Sequence, residues 1–227
     1  MGRGPVRCWP AASRPREKML GAGAPALSDA ELLAALLGSG APRQDVVSLA
    51  GALLDHFGSL SALLDSAPAR LAEFRGIGPA KLAKVSAVRQ LVERALREQL
   101  RLDNVLASPG AVRDYLRLTL GRRSHEIFSC LYLDSRHRLI CAEEASRGTL
   151  TQTAVYPREI AREALQRNAA AVIVAHNHPS GESGASEADH RLTQRLRAAL
   201  DLLDVRLLDH FIVTRDRIVS FAERGWL

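Results

Sequence analysis

The sequence predicts a two-domain α+β protein: an all-α N-terminal domain followed by an α/β domain built on a mixed sheet. Three observations carry this. From about residue 16 to residue 101, apolar residues recur at the three- and four-residue spacing of helices that bury one face. After Ser108-Pro109 the pattern changes to short alternating or continuously apolar runs, the period of strands. One of them, Ala169 to Ala175, is apolar almost throughout, as a strand covered on both faces must be.

Up to about Pro15, Gly, Pro, Arg and Ala follow one another without periodicity, so residues 1–15 are expected to be a mobile tail. Ser28-Asp29 then caps a segment with Leu32, Leu33, Leu36 and Leu37 at helical spacing. Val46, Val47, Leu49, Leu53 and Leu54 make a second helix, and Leu60, Leu63 and Leu64 a short third. After Leu71-Ala-Glu-Phe-Arg-Gly76-Ile77-Gly78-Pro79 comes a long Arg-studded helix ending near Leu102. The helical domain is placed at 16–104 and the α/β domain at 105–227.

In the second domain a capped helix over about 109–120 leads into strands at Ile127–Leu133 and Arg138–Ala145, joined by the turn Asp134-Ser-Arg-His137. Leu150 to Tyr156 is expected to extend the sheet. Pro157 suits the first position of a helix over Arg158–Arg167. The apolar strand, a Gly/Ser/Glu loop, a helix from Ser186 to about Leu203, and strands at Val205–Val213 and Arg217–Phe221 complete the chain.

Composition narrows the class. The 227 residues are 47% hydrophobic and 25% charged, which suits a soluble globular chain with one core or two modest ones. No run nears the roughly 18 apolar residues of a membrane span, and the first twenty residues lack a secretion signal's apolar stretch. A cytoplasmic location without membrane contact is therefore expected. Cys8, Cys130 and Cys141 fit neither a disulfide framework nor a thiolate cluster, so any metal needs His and carboxylate ligands. The net charge of +6 is local: residues 70–101 hold eight Lys and Arg against three Glu, while residues 101–227 hold 18 basic groups against 16 acidic.

The sharpest chemical signal is His176-Asn177-His178, which follows the apolar strand. Side chains two apart on a strand share a face, so both imidazoles can reach one ion. Asp189 follows in the first turn of the helix that Ser186 would cap. Two His and one carboxylate form an open zinc shell, with a position left for water and hydrolytic chemistry. Each part also has an ordinary explanation: Ser186-Glu-Ala-Asp189 is a helix-capping pattern, and the imidazoles could be satisfied polar groups at a strand end. A zinc hydrolase needs a proton carrier, and spacing alone does not choose among Glu126, Glu143, Glu144, Glu159 and Glu163. Asp134 and the Asp209-His210 pair are expected either to support the ligands from behind or to pack, with a structural role preferred because a polar residue ending an apolar strand usually serves a turn or a backbone hydrogen bond.

Gly76-Ile77-Gly78-Pro79-Ala80-Lys81 resembles a helix-hairpin-helix. Glycines permit the tight turn, and the amides at the next helix start can hold a DNA phosphate, with Lys81 and Lys84 adding sequence-independent charge neutralisation. The ordinary alternative is a plain helical connector followed by a solvated basic helix.

Glu126, then His176-x-His178-x7-Ser186-x2-Asp189, resembles the JAB/MPN (JAMM) metal-site motif. More closely, residues 15–227 resemble the bacterial RadC family (UPF0758), often labelled DNA repair proteins. The supporting blocks include Pro-Arg-Glu-Lys-Met-Leu, Tyr-Pro-Arg-Glu, Ala-His-Asn-His-Pro-Ser-Gly, Leu-Asp-His-Phe-Ile-Val and Ser-Phe-Ala-Glu-Arg-Gly-Trp. The resemblance implies a cytidine-deaminase-like fold for the second domain, zinc held by His176, His178 and Asp189, Glu126 as general base on the zinc-bound water, and Ser186 as hydrogen-bond donor to the developing oxyanion. It implies a metallopeptidase or isopeptidase associated with DNA repair or recombination. Deubiquitinating members usually carry Ser or Thr between the two His, where this chain has Asn177. The rival expectation is a DNA-associated binding module whose zinc site is structural or vestigial, with Gly76, Gly78, Lys81 and Lys84 at the DNA. A zinc nuclease is a weaker third, because the charge-balanced second half offers no phosphate track.

Overall fold

The computed structural model describes residues 6–147 and 155–227. The chain divides into two compact units, the first ending at Val92 and the second running Glu93–Leu227. The expected boundary at 104/105 lies twelve residues later, beyond the end of a continuous helix, Pro79–Leu102. The reason is tertiary: Leu96 and Leu100, late in that helix, pack into a core of the second unit.

In the first unit the order is α1 (Pro15–Ala22), α2 (Asp29–Leu37), α3 (Val46–Phe57), α4 (Leu60–Leu64), α5 (Pro68–Ala72) and the N-terminal part of α6 (Pro79–Leu102). Residues 6–15 are not structureless as expected. They form 3-10 turns at Val6–Cys8 and Ala11–Ser13, and the Arg14 Nε donates to the Trp9 carbonyl at 3.0 Å; the rest of the expected tail, residues 1–5, lies outside the described residues. Ser28 caps α2 as expected, in a reciprocal box: Glu31 N–H donates to Ser28 Oγ, and Ser28 N–H to the Glu31 carboxylate. The same carboxylate accepts Lys18 Nζ at 2.8 Å, tying α1 to α2. Leu33, Leu37, Leu49, Leu53, Leu63 and Leu71 fill the core between the helices, each worth about 1.5–3 kcal/mol in transfer free energy.

The glycine turn between α5 and α6 puts Ile77 into that core. Gly76 has φ +99°, and a Cβ built there would stand 2.8 Å from the Ala41 Cβ and 3.1 Å from a Leu49 methyl. Only glycine fits. Gly78 has no such constraint: its surroundings are open to 4 Å. Lys81 is half-buried and Lys84 exposed, and both ammonium groups reach backbone carbonyls. Lys81 Nζ donates to the carbonyls of Gly40 (2.5 Å) and Gly76 (2.8 Å), and Lys84 Nζ donates to the Leu37 carbonyl at 3.0 Å. Both ammonium groups thus satisfy backbone acceptors at the end of α2 and in the glycine turns, which helix ends otherwise leave open.

The second unit contains the rest of α6, then α7 (Pro109–Leu120), β1 (Ile127–Leu133), β2 (Leu139–Arg147), α8 (Pro157–Gln166), β3 (Ala171–Asn177), α9 (Glu187–Asp201), β4 (Arg206–Val213) and β5 (Ile218–Ser220). The sheet is mixed, in the order β2-β1-β3-β4-β5, with β3 and β4 parallel and the other pairs antiparallel. Helices cover both faces. Val112, Leu116 and Leu120 of α7 pack with Leu131, Ile173 and Phe211 on one side; Ile160 of α8 and Leu196 and Leu200 of α9 pack with Phe128, Val172 and Val174 on the other. Ser108 does not cap α7 through its side chain; Pro109 at the first position starts that helix instead. The expected strand at Leu150–Tyr156 falls almost wholly outside the described residues, and Val155 and Tyr156 are not in a strand.

β3 begins two residues later than expected, because Ala169 N–H closes the end of α8 on the Ala164 carbonyl at 2.9 Å and Ala170 N–H bonds Leu133. His176 and Asn177 are therefore the last residues of the strand itself, not of the loop after it.

Gly76→Ala is expected to lower stability by about 2–4 kcal/mol through the left-handed backbone and the Ala41 and Leu49 contacts. Gly78→Ala is expected to cost less than about 1 kcal/mol. Urea unfolding of the two variants beside the parent checks the contrast, and equal losses would refute it.

Candidate metal centre

The centre of the sheet carries the site. β3 lies between β1 and β4, and all seven of its residues are buried. At its C-terminal end the strand period sends His176 to the α9 face, where Phe128 of β1 stacks on the ring with centroids 6.1 Å apart. His178 follows two residues on. Across from them Ser186 caps α9, placing Asp189 in its first turn.

Three ligand residues converge. His176 Nε2 and His178 Nε2 are 2.9 Å apart, Asp189 Oδ1 is 3.2 Å from His176 Nε2, and Asp189 Oδ2 is 3.8 Å from His178 Nε2. Among the described residues this is a group of three His, Cys, Asp or Glu whose ligand atoms all lie within 4.8 Å of one another. His178 Nδ1 donates to the Glu182 carbonyl at 2.7 Å, which leaves its Nε2 with a lone pair facing the cluster. His176 Nδ1 is paired with His210 Nε2 at 2.8 Å. Two imidazole nitrogens and a carboxylate oxygen aimed at one another suit a divalent cation. The residues present fit such an ion.

The Asp189 carboxyl is opposed by burial, which pushes it up, but the His176 imidazole and the hydroxyl and N–H of Ser186 outweigh this and hold it well below the usual carboxylate range. Ser186 Oγ and Ser186 N–H both donate to Asp189 Oδ2 at 2.7 Å, while Asp189 N–H returns to Ser186 Oγ at 3.2 Å. The capping pattern and the ligand cluster, alternatives at the level of sequence, are the same carboxylate: one oxygen faces the cap and the other faces His176.

Glu126 is half-buried and stands just before β1. The antiparallel pairing of β1 with β3 ends at Phe128 and His176, two residues after Glu126. The competitors are occupied or distant from this end of the strand. Glu143 and Glu163 both pair with Arg167, Glu144 with Arg123, and Glu159 with Arg162. The glycine-turn residues are not part of this centre. Besides Lys81 and Lys84, several other groups of the basic stretch are engaged within the protein: Arg89 pairs with Asp65, Arg97 with Glu93, and Arg70 lies over the Phe57 ring.

Comparison with known proteins agrees with this architecture in both halves. Residues 106–226 match the RadC-like JAB domain, and residues 6–83 match the UPF0758 N-terminal domain. The chain belongs to the UPF0758 (RadC-like) family. Relatives align end to end: a UPF0758 protein of Leptothrix cholodnii is 57% identical over 96% of this chain and 98% of its own length. A UPF0758 protein of Chromobacterium violaceum is 53% identical over 98% of this chain and 99% of its own.

In this UPF0758 chain three contributors to the site are not evident from sequence. His210, for which a structural role is preferred from sequence over one behind the ligands, meets the ligand His176. Thr193, one turn after Asp189, bonds His210. Asn177 points away from the cluster and clamps the segment that carries Glu126. Its Oδ1 accepts Ile127 N–H at 2.8 Å, and its Nδ2 donates to the carbonyls of His125 (3.1 Å) and Arg123 (3.4 Å). The amide takes the N–H after Glu126 and the carbonyl before it, as a neighbouring strand would. The signal available was its position between two ligands on a period-two strand, which sends it to the opposite face. By contrast, Asp134 and Asp209 have the expected structural roles: Asp134 Oδ1 accepts the N–H groups of Arg136 and Arg138, and Asp209 accepts the Ser220 hydroxyl and Ala222 N–H.

Asn177→Ala leaves the buried Ile127 N–H without its acceptor, an expected loss of about 1–3 kcal/mol. Hydrogen exchange at residues 123–127 is expected to accelerate, and bound-metal stoichiometry to stay unchanged. Exchange mass spectrometry and metal analysis of the same sample check both halves of this.

Proposed function

We propose that the second unit is a zinc-dependent hydrolase that cleaves a peptide or isopeptide bond, with zinc held by His176, His178 and Asp189. The observation that carries this is the convergence of two imidazole Nε2 atoms and one carboxylate oxygen at the buried end of the central strand. Three protein ligands leave a coordination position for a reacting group, which separates catalytic from structural zinc sites. When bound, zinc supplies a Lewis acid that polarises the scissile carbonyl and makes water acidic enough to attack near neutral pH.

The protein's own groups do the rest. Glu126, just before β1 and held by the Asn177 clamp, takes the proton of the attacking water and returns it to the leaving amine. Ser186 has one hydroxyl proton, and Asp189 uses it. In this arrangement Ser186 orients the ligand carboxylate; donating to an oxyanion requires that bond to be given up. Lys81 and Lys84, which the DNA reading places at a phosphate, spend two and one of their three N–H donors on backbone carbonyls.

Metal analysis of the purified protein is expected to give one zinc per chain, lost in His176→Ala and His178→Ala. Hydrolysis of a panel of peptides and isopeptide-linked conjugates is expected to fall by about 10²- to 10⁴-fold in Glu126→Gln, with zinc retained. A zinc-loaded protein inert across that panel would refute the hydrolase reading, and a protein that takes up no zinc would refute the metal itself.

A further inference from the structure

A second histidine system lies behind the first. β4 pairs with β3 through Val172–Leu207 and then Ile173–Asp209, so Leu208 is an extra residue, a bulge. Without it, position 210 would pair with Ala175 and face the α7 side of the sheet. With it, His210 pairs with Val174 and shares the face of His176. There it is fully buried, stacked on Phe221 with centroids 4.7 Å apart and meeting the edge of Phe128 at 5.7 Å.

With both imidazoles neutral, the hydrogen bonds around it have only one consistent direction. Thr193 Oγ1 lies 2.7 Å from the Asp189 carbonyl, which can only accept, so the threonine proton goes there. Thr193 Oγ1 must then accept from His210 Nδ1, 2.7 Å away, which therefore carries a proton. A neutral His210 with its proton on Nδ1 presents Nε2 as an acceptor. His176 Nδ1, 2.8 Å from that Nε2, must donate to it. When His176 is itself neutral, as a metal ligand must be, what remains on it is an Nε2 lone pair facing His178 and Asp189.

We propose that His210 and Thr193 are positioning residues that fix the tautomer and ring orientation of His176, so that its Nε2 is presented to the metal. The proposal rests on the metal reading above. The relay starts on the carbonyl of Asp189 and ends on His176, so one ligand residue sets the protonation pattern of another. Partners of this kind typically contribute 10- to 100-fold in metal affinity.

Cobalt(II) titration of the metal-free protein, followed by the visible d–d spectrum, separates this from simple packing. His210→Phe keeps the aromatic stack but removes the acceptor, and His210→Gln loses the ring but keeps an acceptor near the Nε2 position. We expect His210→Phe to bind cobalt about 10- to 100-fold more weakly with an altered spectrum, His210→Gln to recover most of the affinity, and Thr193→Val to fall between. A purely structural role predicts the reverse ranking, with Phe tolerated better than Gln. Thermal unfolding of each metal-free variant identifies any that fail to fold, and Thr193→Val, which preserves shape, keeps the test decisive in that case. Parent-like affinity and spectrum in folded His210→Phe and Thr193→Val would overturn the relay while leaving the metal site standing. A parent protein that binds no cobalt would overturn the metal reading and the relay with it.

Discussion

The site depends on a desolvation constraint at one end of one strand. β3 is buried along its whole length between β1 and β4, with helices over both faces, so no polar group there can rely on water. Yet the strand ends in His176 and Asn177, and His178 follows directly. Every nitrogen and oxygen these residues bring inward has to find a partner within the fold. The two-residue period splits these demands between two faces, with His176 and His178 toward α9 and Asn177 toward the α7 side. The first face meets the need with Asp189, His210 and the Glu182 carbonyl, the second with the backbone of residues 123–127. One strand thereby organises the ligand cluster and the approach of Glu126 together.

The same constraint explains which parts were legible in sequence. His-x-His after an apolar run is a local pattern, and strand geometry alone brings both rings to one side. Ser186-x-x-Asp189 is equally local, and its two readings proved compatible because a carboxylate has two oxygens. The helices and strands followed from periodicity, with ends displaced by one or two residues where a tertiary bond such as Ala170 N–H to Leu133 decided the boundary. His210 differs from expectation for another reason. Its facing depends on an extra residue at Leu208, and a bulge leaves no mark in a hydrophobic pattern because Leu207 and Leu208 are both apolar and go to opposite cores.

Charge was the least legible property. Counting Lys and Arg between residues 70 and 101 marks a basic stretch but says nothing of where each ammonium or guanidinium finds acceptors. Lys81 and Lys84 direct theirs to backbone carbonyls, because the end of α2 and the glycine turns leave carbonyls that long, flexible donors can reach. The domain boundary departs from expectation similarly. α6 is one uninterrupted helix by local propensity, but its apolar residues are shared between two cores, and the division at Val92 follows the cores.

Asp189 ties these levels together. As the third residue of α9 it accepts the N-cap's hydroxyl and N–H, a position where the helix dipole also favours negative charge. The His176 imidazole and these Ser186 groups together hold the carboxyl low even though burial opposes it, and an ionised carboxylate is what a cation requires. Its other oxygen faces His176, and its backbone carbonyl holds Thr193, one turn into the helix. The start of α9 is therefore a structural cap, a ligand and the anchor of the His210 bond chain at once. A displacement of this helix relative to β3 would disturb all three together, so the geometry of the centre is fixed by the same packing of Leu196 and Leu200 against Val172 and Val174 that holds the domain's core.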